Sequence, residues 1–270
     1  MSAPDVTANA GAERIAAAFA DSGKRAALMP YLMGGFPTTP VSLEIGLAYA
    51  DGGADLVELG IPFSDPLADG PVIAAAGTAA LRAGTTVASV LEVCAGLAPR
   101  LPVVIMCYAN QVLARGAEDF AARLRDAGAS GLIVPDLPME EAPTVLAACD
   151  AAGLALVPLV APTTPDDRLR AIGSRARGFL YTVSVTGTTG EREAPLGDRV
   201  AAVVGRAKAA TDVPVALGFG ITTPEQASEA ADAGADGVIV GSRLVREAAE
   251  AADPAAAVRA VVAGLADGLS

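Results

Sequence analysis

The chain has 270 residues, 52% of them apolar, and a formal net charge of −12. That is enough apolar content for a packed core and too much for a disordered chain; the acidic balance argues against a nucleic-acid partner, since binding would set like charge against like. There is no histidine, so zinc sites built on His are excluded, and any acid or base working near neutrality must be a carboxylate, Tyr, Cys or Lys with a tuned pKa.

In chain order, MSAPDVTANA has no basic region leading into an apolar run. No signal peptide is expected, and residues 1–9 read as a short flexible terminus. No run reaches about 18 consecutive apolar residues, so no membrane span is expected and cytoplasm is the expected location. Ala10–Ala20 reads as an added helix with Ile15 and Phe19 on one face, placed to close the bottom of the fold. Short β-like runs then alternate with Ala-rich helical stretches. The runs are Leu28–Met33, Asp55–Leu59, Val103–Cys107, Gly131–Val134, Leu154–Val160, Gly178–Val183, Val213–Leu217 and Gly237–Val240. They are apolar instead of alternating, as parallel strands covered by helices require. Between them, Ala117–Ala127 sets Phe120 and Leu124 on one helical face, and Ala255–Leu265 reads as the last helix.

Eight β-then-α units predict a (β/α)8 barrel, the TIM-barrel class of α/β fold, filling 1–270 as one domain. A local repeat agrees: DGGADLVELG (51–60), DAGASGLIVP (126–135) and DAGADGVIVG (232–241) each end a helix at a Gly and start a strand. Two connections after strands are unusual. One is GIPFSDPLADGP (60–71), after the second strand; the other is the polar, Gly- and Thr-rich 184–199, after the sixth. Both fall on the face where barrels place their active sites, and the second has the composition of a lid.

Glu58 sits in an otherwise apolar strand, DLVELG. Alternation places Leu56 and Glu58 on one side and Val57 and Leu59 on the other, so Glu58 is expected to point into the barrel near its top. Burial there raises a carboxyl pKa and suits it to carry protons; a structural Glu paired to an Arg is the competing reading. Asp65 and Asp69 come next, in a loop stiffened by Pro62, Pro66 and Pro71. Either could orient a substrate N–H or hydroxyl, and an Asp in such a loop can also bond to its own backbone.

Further on, LGFGITTPEQ (217–226) ends a strand with Gly218 and Gly220. It continues into a capping box, with Thr223 at the N-cap, Pro224 at N1 and Gln226 at N3. After the eighth strand, Gly241-Ser242 opens another helix. Glycines and free helix-terminal amides at these two loops predict a phosphate cradle. The only lysines, Lys24 and Lys208, are poorly placed for a Schiff base, and metal-assisted aldol chemistry would normally recruit histidine. Metal-free acid–base chemistry on a phosphorylated substrate survives. Cys94, Cys107 and Cys149 are too scattered for a CxxC site and read as small buried residues.

At these residues the sequence resembles the tryptophan synthase alpha subunit family. ELGIPFSDPLADGP (58–71) carries most of the likeness, supported by PYLMG (30–34), MCYAN (106–110), VPDLP (134–138), GTTG (187–190), GFGI (218–221) and GS (241–242). The resemblance implies a lyase of tryptophan biosynthesis that cleaves indole-3-glycerol phosphate to indole and D-glyceraldehyde 3-phosphate. It implies that Glu58 shuttles protons between the glycerol hydroxyl and indole C3. Asp69 would hold the indole N–H, Tyr181 would stand near the reacting carbons, and Thr189 would fix the catalytic loop through Asp69. Tyr31, Met106 and Ile239 would line the indole pocket, and Gly190, Gly218, Gly220, Gly241 and Ser242 would bind phosphate. No metal or cofactor is implied in this subunit. The partner would be a pyridoxal-phosphate beta subunit in an alpha2-beta2 tetramer, facing Pro62, Asp65, Asn110 and Asp136. One departure is Val185, where many members of the family carry Arg. Two other readings stand beside this one: a different phosphosugar-binding barrel isomerase, and a non-catalytic barrel that activates a partner.

Overall fold

The computed structural model describes residues 10–183, 198–218 and 220–270. Its strands are β1 (Ala27–Met33), β2 (Val57–Gly60), β3 (Val103–Met106), β4 (Gly131–Ile133), β5 (Ala155–Val157), β6 (Leu159–Val160), β7 (Leu180–Val183), β8 (Val215–Gly218) and β9 (Gly237–Val240). The helices are α1 (Ala10–Ala20), α2 (Thr39–Asp51), α3 (Pro71–Arg82), α4 (Val87–Leu97), α5 (Ala109–Leu113) and α6 (Ala117–Asp126), followed by α7 (Pro143–Ala152), α8 (Asp166–Gly173), α9 (Asp198–Lys208), α10 (Pro224–Asp232), α11 (Ser242–Glu250) and α12 (Pro254–Gly268).

The strands form one parallel sheet in the order β5-β4-β3-β2-β1-β9-β8-β7-β6. β5 and β6 are the two halves of the single run expected at 154–160. Pro158 separates them, because it has no N–H to give a ladder. The first half pairs with β4 and the second with β7, and the Tyr181 amide donates to the Pro158 carbonyl at 3.0 Å. The two ends of the sheet therefore meet at one proline, and eight strand units curl into a nearly closed barrel.

Alternation along the strands sorts the core. Met29, Leu56, Val104, Ile133, Phe179 and Ile239 share a cluster inside the barrel. Leu28, Val57, Ile105, Leu132, Leu180 and Val238 join the larger cluster that packs against the helices. Cys94, Cys107 and Cys149 are buried free thiols in that outer layer. Helix α6 turns Phe120 and Leu124 into it, as its i, i+4 spacing predicted.

Helix α1 closes the barrel bottom. Ile15 is fully buried and belongs to the interior cluster, with Phe19 packed against it. Burying one such Ile contributes about 1.5–3 kcal/mol. Gly237 makes room for this plug: a Cβ there would lie 2.6 Å from the Phe19 ring.

The same end of the barrel uses both lysines. Lys24 Nζ donates to both oxygens of Asp55, at 2.8 and 2.9 Å, while Asp55 Oδ2 accepts the Leu28 amide. Lys208 Nζ donates to Asp236 Oδ1 at 2.7 Å, while Asp236 Oδ2 accepts the Val215 amide. Asp55 and Asp236 occupy the same position in the repeated helix-to-strand turn, so the repeat is a clip that joins neighbouring strands at their N-terminal ends. In the middle copy, 126–135, the position is Ser130, fully buried. Helix α1 lies against it so closely that a Cβ on Gly11 would sit 2.0 Å from the Ser130 carbonyl oxygen. Among the described residues no single helix is long and apolar enough to cross a membrane.

Candidate active site

Glu58 stands opposite Tyr31 of β1 and Val104 of β3, on the same strand face as the interior residue Leu56. It is 2% exposed. Its Oε2 is buried with no hydrogen-bond partner among the described residues, a state that costs about 1–3 kcal/mol for an ordinary polar atom. Burial, and secondarily the nearby charge of Asp69, push its carboxyl up to about 8. Glu58 is therefore mostly protonated at neutral pH and close enough to its balance point to give and take a proton.

Two tyrosines flank it. Burial holds Tyr31 well above the usual phenol range, helped by Asp69 and Glu58; burial and Glu58 do the same for Tyr181. Both stay neutral hydroxyls. Each lies across the glycine at the end of a neighbouring strand. A Cβ on Gly60 would come within 2.1 Å of the Tyr31 hydroxyl oxygen, and one on Gly218 within 2.5 Å of that of Tyr181. Gly218 thus has a packing reason to be glycine, apart from any anion. Ile239 is buried and Met106 half-buried, both on strand positions that face inward.

The loop between β2 and α3 separates its two aspartates. Asp65 is exposed and accepts the Ser64 hydroxyl. Asp69 is half-buried and near enough to raise both Glu58 and Tyr31. Burial raises Asp69 itself, opposed by a hydrogen bond from Tyr108. The Tyr108 hydroxyl donates to Asp69 Oδ1 at 3.0 Å and accepts from the Ala68 amide at 3.0 Å.

Across the mouth, β8 and β9 are neighbours, so the loops that leave them run side by side. Gly220 takes φ +87°, a left-handed conformation that favours glycine. Thr223 caps α10 in the expected box with Gln226. Helix α11 starts at Ser242 directly after Gly241, so its free first-turn amides open at the C-terminal end of the barrel. Thr189, Gly190 and Val185, with 184–197 of the expected lid, lie outside the described residues.

Of the other expected residues, Asn110 and Asp136 are exposed, and Asp136 Oδ1 accepts the Ala109 amide at the start of α5. Pro62 is buried, and its carbonyl accepts from Gln111 Nε2. A groove of about 730 Å³ runs along the outer wall between α7 and α8, past Leu146, Leu156 and Ile172. Neither Glu58 nor Asp69 lines it. Sequence reasoning assigned no role to Tyr108, Gln111 or Gly60. MCYAN contains the tyrosine, but nothing in the spacing says that it reaches an aspartate 39 positions away.

Fold and site together define a class: a parallel α/β barrel with a desolvated carboxylic acid at its mouth and glycine-edged loops opposite. The sequence model for "Tryptophan synthase alpha chain" matches residues 18–267. The chain is 50% identical over 230 residues to the tryptophan synthase alpha chain of Prochlorococcus marinus, covering 84% of this chain and 83% of that one. To the alpha chain of Methanosarcina mazei it is 47% identical, covering 85% and 84%. It is similar to a solved chain of Mycobacterium tuberculosis tryptophan synthase, with TM-score 0.88, 39% identity and coverage of 95% and 98%. A solved chain of the Pyrococcus furiosus tryptophan synthase a2b2 complex gives TM-score 0.83, 35% identity and coverage of 90% and 98%. The chain belongs to the tryptophan synthase alpha chain family.

Proposed function

We propose that the chain cleaves indole-3-glycerol phosphate to indole and D-glyceraldehyde 3-phosphate, as the alpha subunit of tryptophan synthase in tryptophan biosynthesis. The observation that carries this reading is Glu58, a buried carboxyl with one unpartnered oxygen, standing inside an apolar barrel mouth near a second carboxylate. Protonated Glu58 gives its proton to indole C3, leaving a positive charge delocalised onto the ring nitrogen. Asp69 accepts the ring N–H and stabilises that charge, more strongly for being half-buried. Glu58, now a carboxylate, takes the proton of the glycerol hydroxyl next to the ring. The O–H electron pair becomes the aldehyde C=O, the carbon–carbon bond breaks, and its electrons return to the ring. Glu58 ends as it began, so the cycle consumes no other reagent.

Tyr31, Met106, Tyr181 and Ile239 form the wall around the ring. The amides near Gly218, Gly220, Gly241 and Ser242 hold the phosphate. The same geometry fits poorly with an isomerase acting on a phosphosugar alone, which leaves the inward Asp69 without a task.

The partner is the beta subunit, which carries the pyridoxal phosphate, and the assembly is alpha2-beta2 in the cytoplasm. Support for the docking face comes from exposed apolar residues. Leu67 is 79% exposed and Leu113 is 59% exposed, and they flank the segments that carry Asp65 and Asn110. A partner that covered both side chains would take their apolar surface out of water. The test is to incubate the full chain with indole-3-glycerol phosphate, alone and with a beta subunit, and to follow glyceraldehyde 3-phosphate. Stimulated release is expected. No release in either mixture overturns the reading.

A further inference from the structure

We propose that Tyr108 is a positioning residue, which holds the Asp69 carboxylate toward the barrel mouth through a hydroxyl set between Asp69 Oδ1 and the Ala68 amide. This rests on the proposed cleavage reaction, in which Asp69 receives the ring N–H.

The loop of 61–70 has no regular structure to place Asp69. Its position must come from side-chain contacts. The Tyr108 hydroxyl has one proton and two lone pairs. The Ala68 amide occupies a lone pair at 3.0 Å, which leaves the proton to go to Asp69 Oδ1, also at 3.0 Å. An ionised carboxylate only accepts, so the donation is strongest when Asp69 is charged.

Tyr108 is itself fixed. It is 3% exposed, and its ring stacks on Phe63, with centroids 5.2 Å apart and planes at 27°. Its amide donates to Gln111 Oε1 at 3.1 Å, and Gln111 Nε2 donates to the Pro62 carbonyl at 3.1 Å. The loop is thus tied at both ends to the start of α5. Among the described residues, the titratable groups facing Asp69 are Glu58 of β2, Tyr31 of β1 and Tyr108 itself. Among these only Tyr108 makes a hydrogen bond to it that favours its charged form.

Tyr108→Phe keeps the ring on Phe63 and removes only the hydroxyl. In the full chain, assayed with its beta partner, kcat for glyceraldehyde 3-phosphate release is expected to fall about 10–100-fold, the loss typical of one hydrogen bond to a charged group. The acid limb of the kcat–pH profile is expected to move to higher pH, because Asp69 loses the donor that favours its ionised form. On an Asp69→Asn background the same substitution is expected to change kcat less than about twofold, since the two residues act as one unit. A tyrosine that only braced the loop would lower kcat on both backgrounds and leave the acid limb in place; that result overturns the proposal. So does an unchanged kcat in Tyr108→Phe when Asp69→Asn alone is disabled. If Asp69→Asn retains full turnover, the role of Asp69 itself fails.

Discussion

Glu58→Gln is expected to abolish cleavage while the barrel stays folded and still binds phosphate. Gln is nearly isosteric, so the packing beside Tyr31 and Tyr181 survives, but an amide cannot carry a proton between carbon and oxygen. Positioned acid–base groups contribute about 10²–10⁴-fold to rate, and here one group does both transfers, so the loss in kcat is expected at the upper end or beyond. Turnover within tenfold of the unmodified chain would remove Glu58 from the chemistry.

The same substitution should change stability in a pH-dependent way. Folding raises the Glu58 carboxyl from its ordinary 4.5 to about 8. Below about pH 4.5 both folded and unfolded chains are protonated there, and nothing is lost. As pH rises from there to about 8, the unfolded chain releases the proton first and folding stability falls; above about 8 the full penalty is present. Glu58→Gln carries no such penalty. The variant is therefore expected to melt above the parent at alkaline pH and alongside it near pH 4.5, as thermal unfolding followed by circular dichroism would read. A stabilisation equal at both pH values would mean that the carboxyl is not desolvated in the folded chain. A destabilisation at alkaline pH would mean that it is held as a paired anion.

Asp69→Asn is expected to lower kcat by about 10²–10³-fold, the range seen when one preorganised electrostatic group is lost at a developing charge. Asparagine can still accept a hydrogen bond from the ring N–H and from Tyr108, so the ligand should seat normally. What is lost is the negative charge opposite a positive ring in a half-buried site. Affinity for a non-cleavable indole-alkyl phosphate should change by less than about threefold, because uniform binding is retained. A large loss of that affinity with kcat intact would make Asp69 a ground-state binding residue.

Much of this was legible because the information is local. An apolar run bounded by a Gly-containing turn reads as a buried parallel strand wherever it falls, and strand alternation alone turned Glu58 to the side of Leu56. The capping box at Thr223 lies within four consecutive residues and emerged as predicted. Contacts that join distant segments were not legible. Pro158 was visible inside the fifth run, but that its two sides pair with different neighbours is a property of barrel closure. The repeated Asp55 and Asp236 were visible as a pattern. Their purpose appeared only when Lys24 and Lys208 were found 31 and 28 positions away. Gly218 was expected only as part of a phosphate cradle and Gly60 had no expected role, whereas both clear the path of a tyrosine from the adjacent strand. Tyr108 belongs to the same group: its reach to Asp69 depends on how two loops meet above the sheet.

The most direct measurement is a crystal structure of the chain with a non-cleavable indole-alkyl phosphate bound. The phosphate is predicted to lie against the backbone of Gly220 and the start of α11 at Ser242, with a Glu58 carboxyl oxygen in contact with the carbon chain where it joins the ring. A phosphate bound elsewhere, such as the outer groove beside Ile172, or a Glu58 side chain rotated away from the seated ring, would contradict the account.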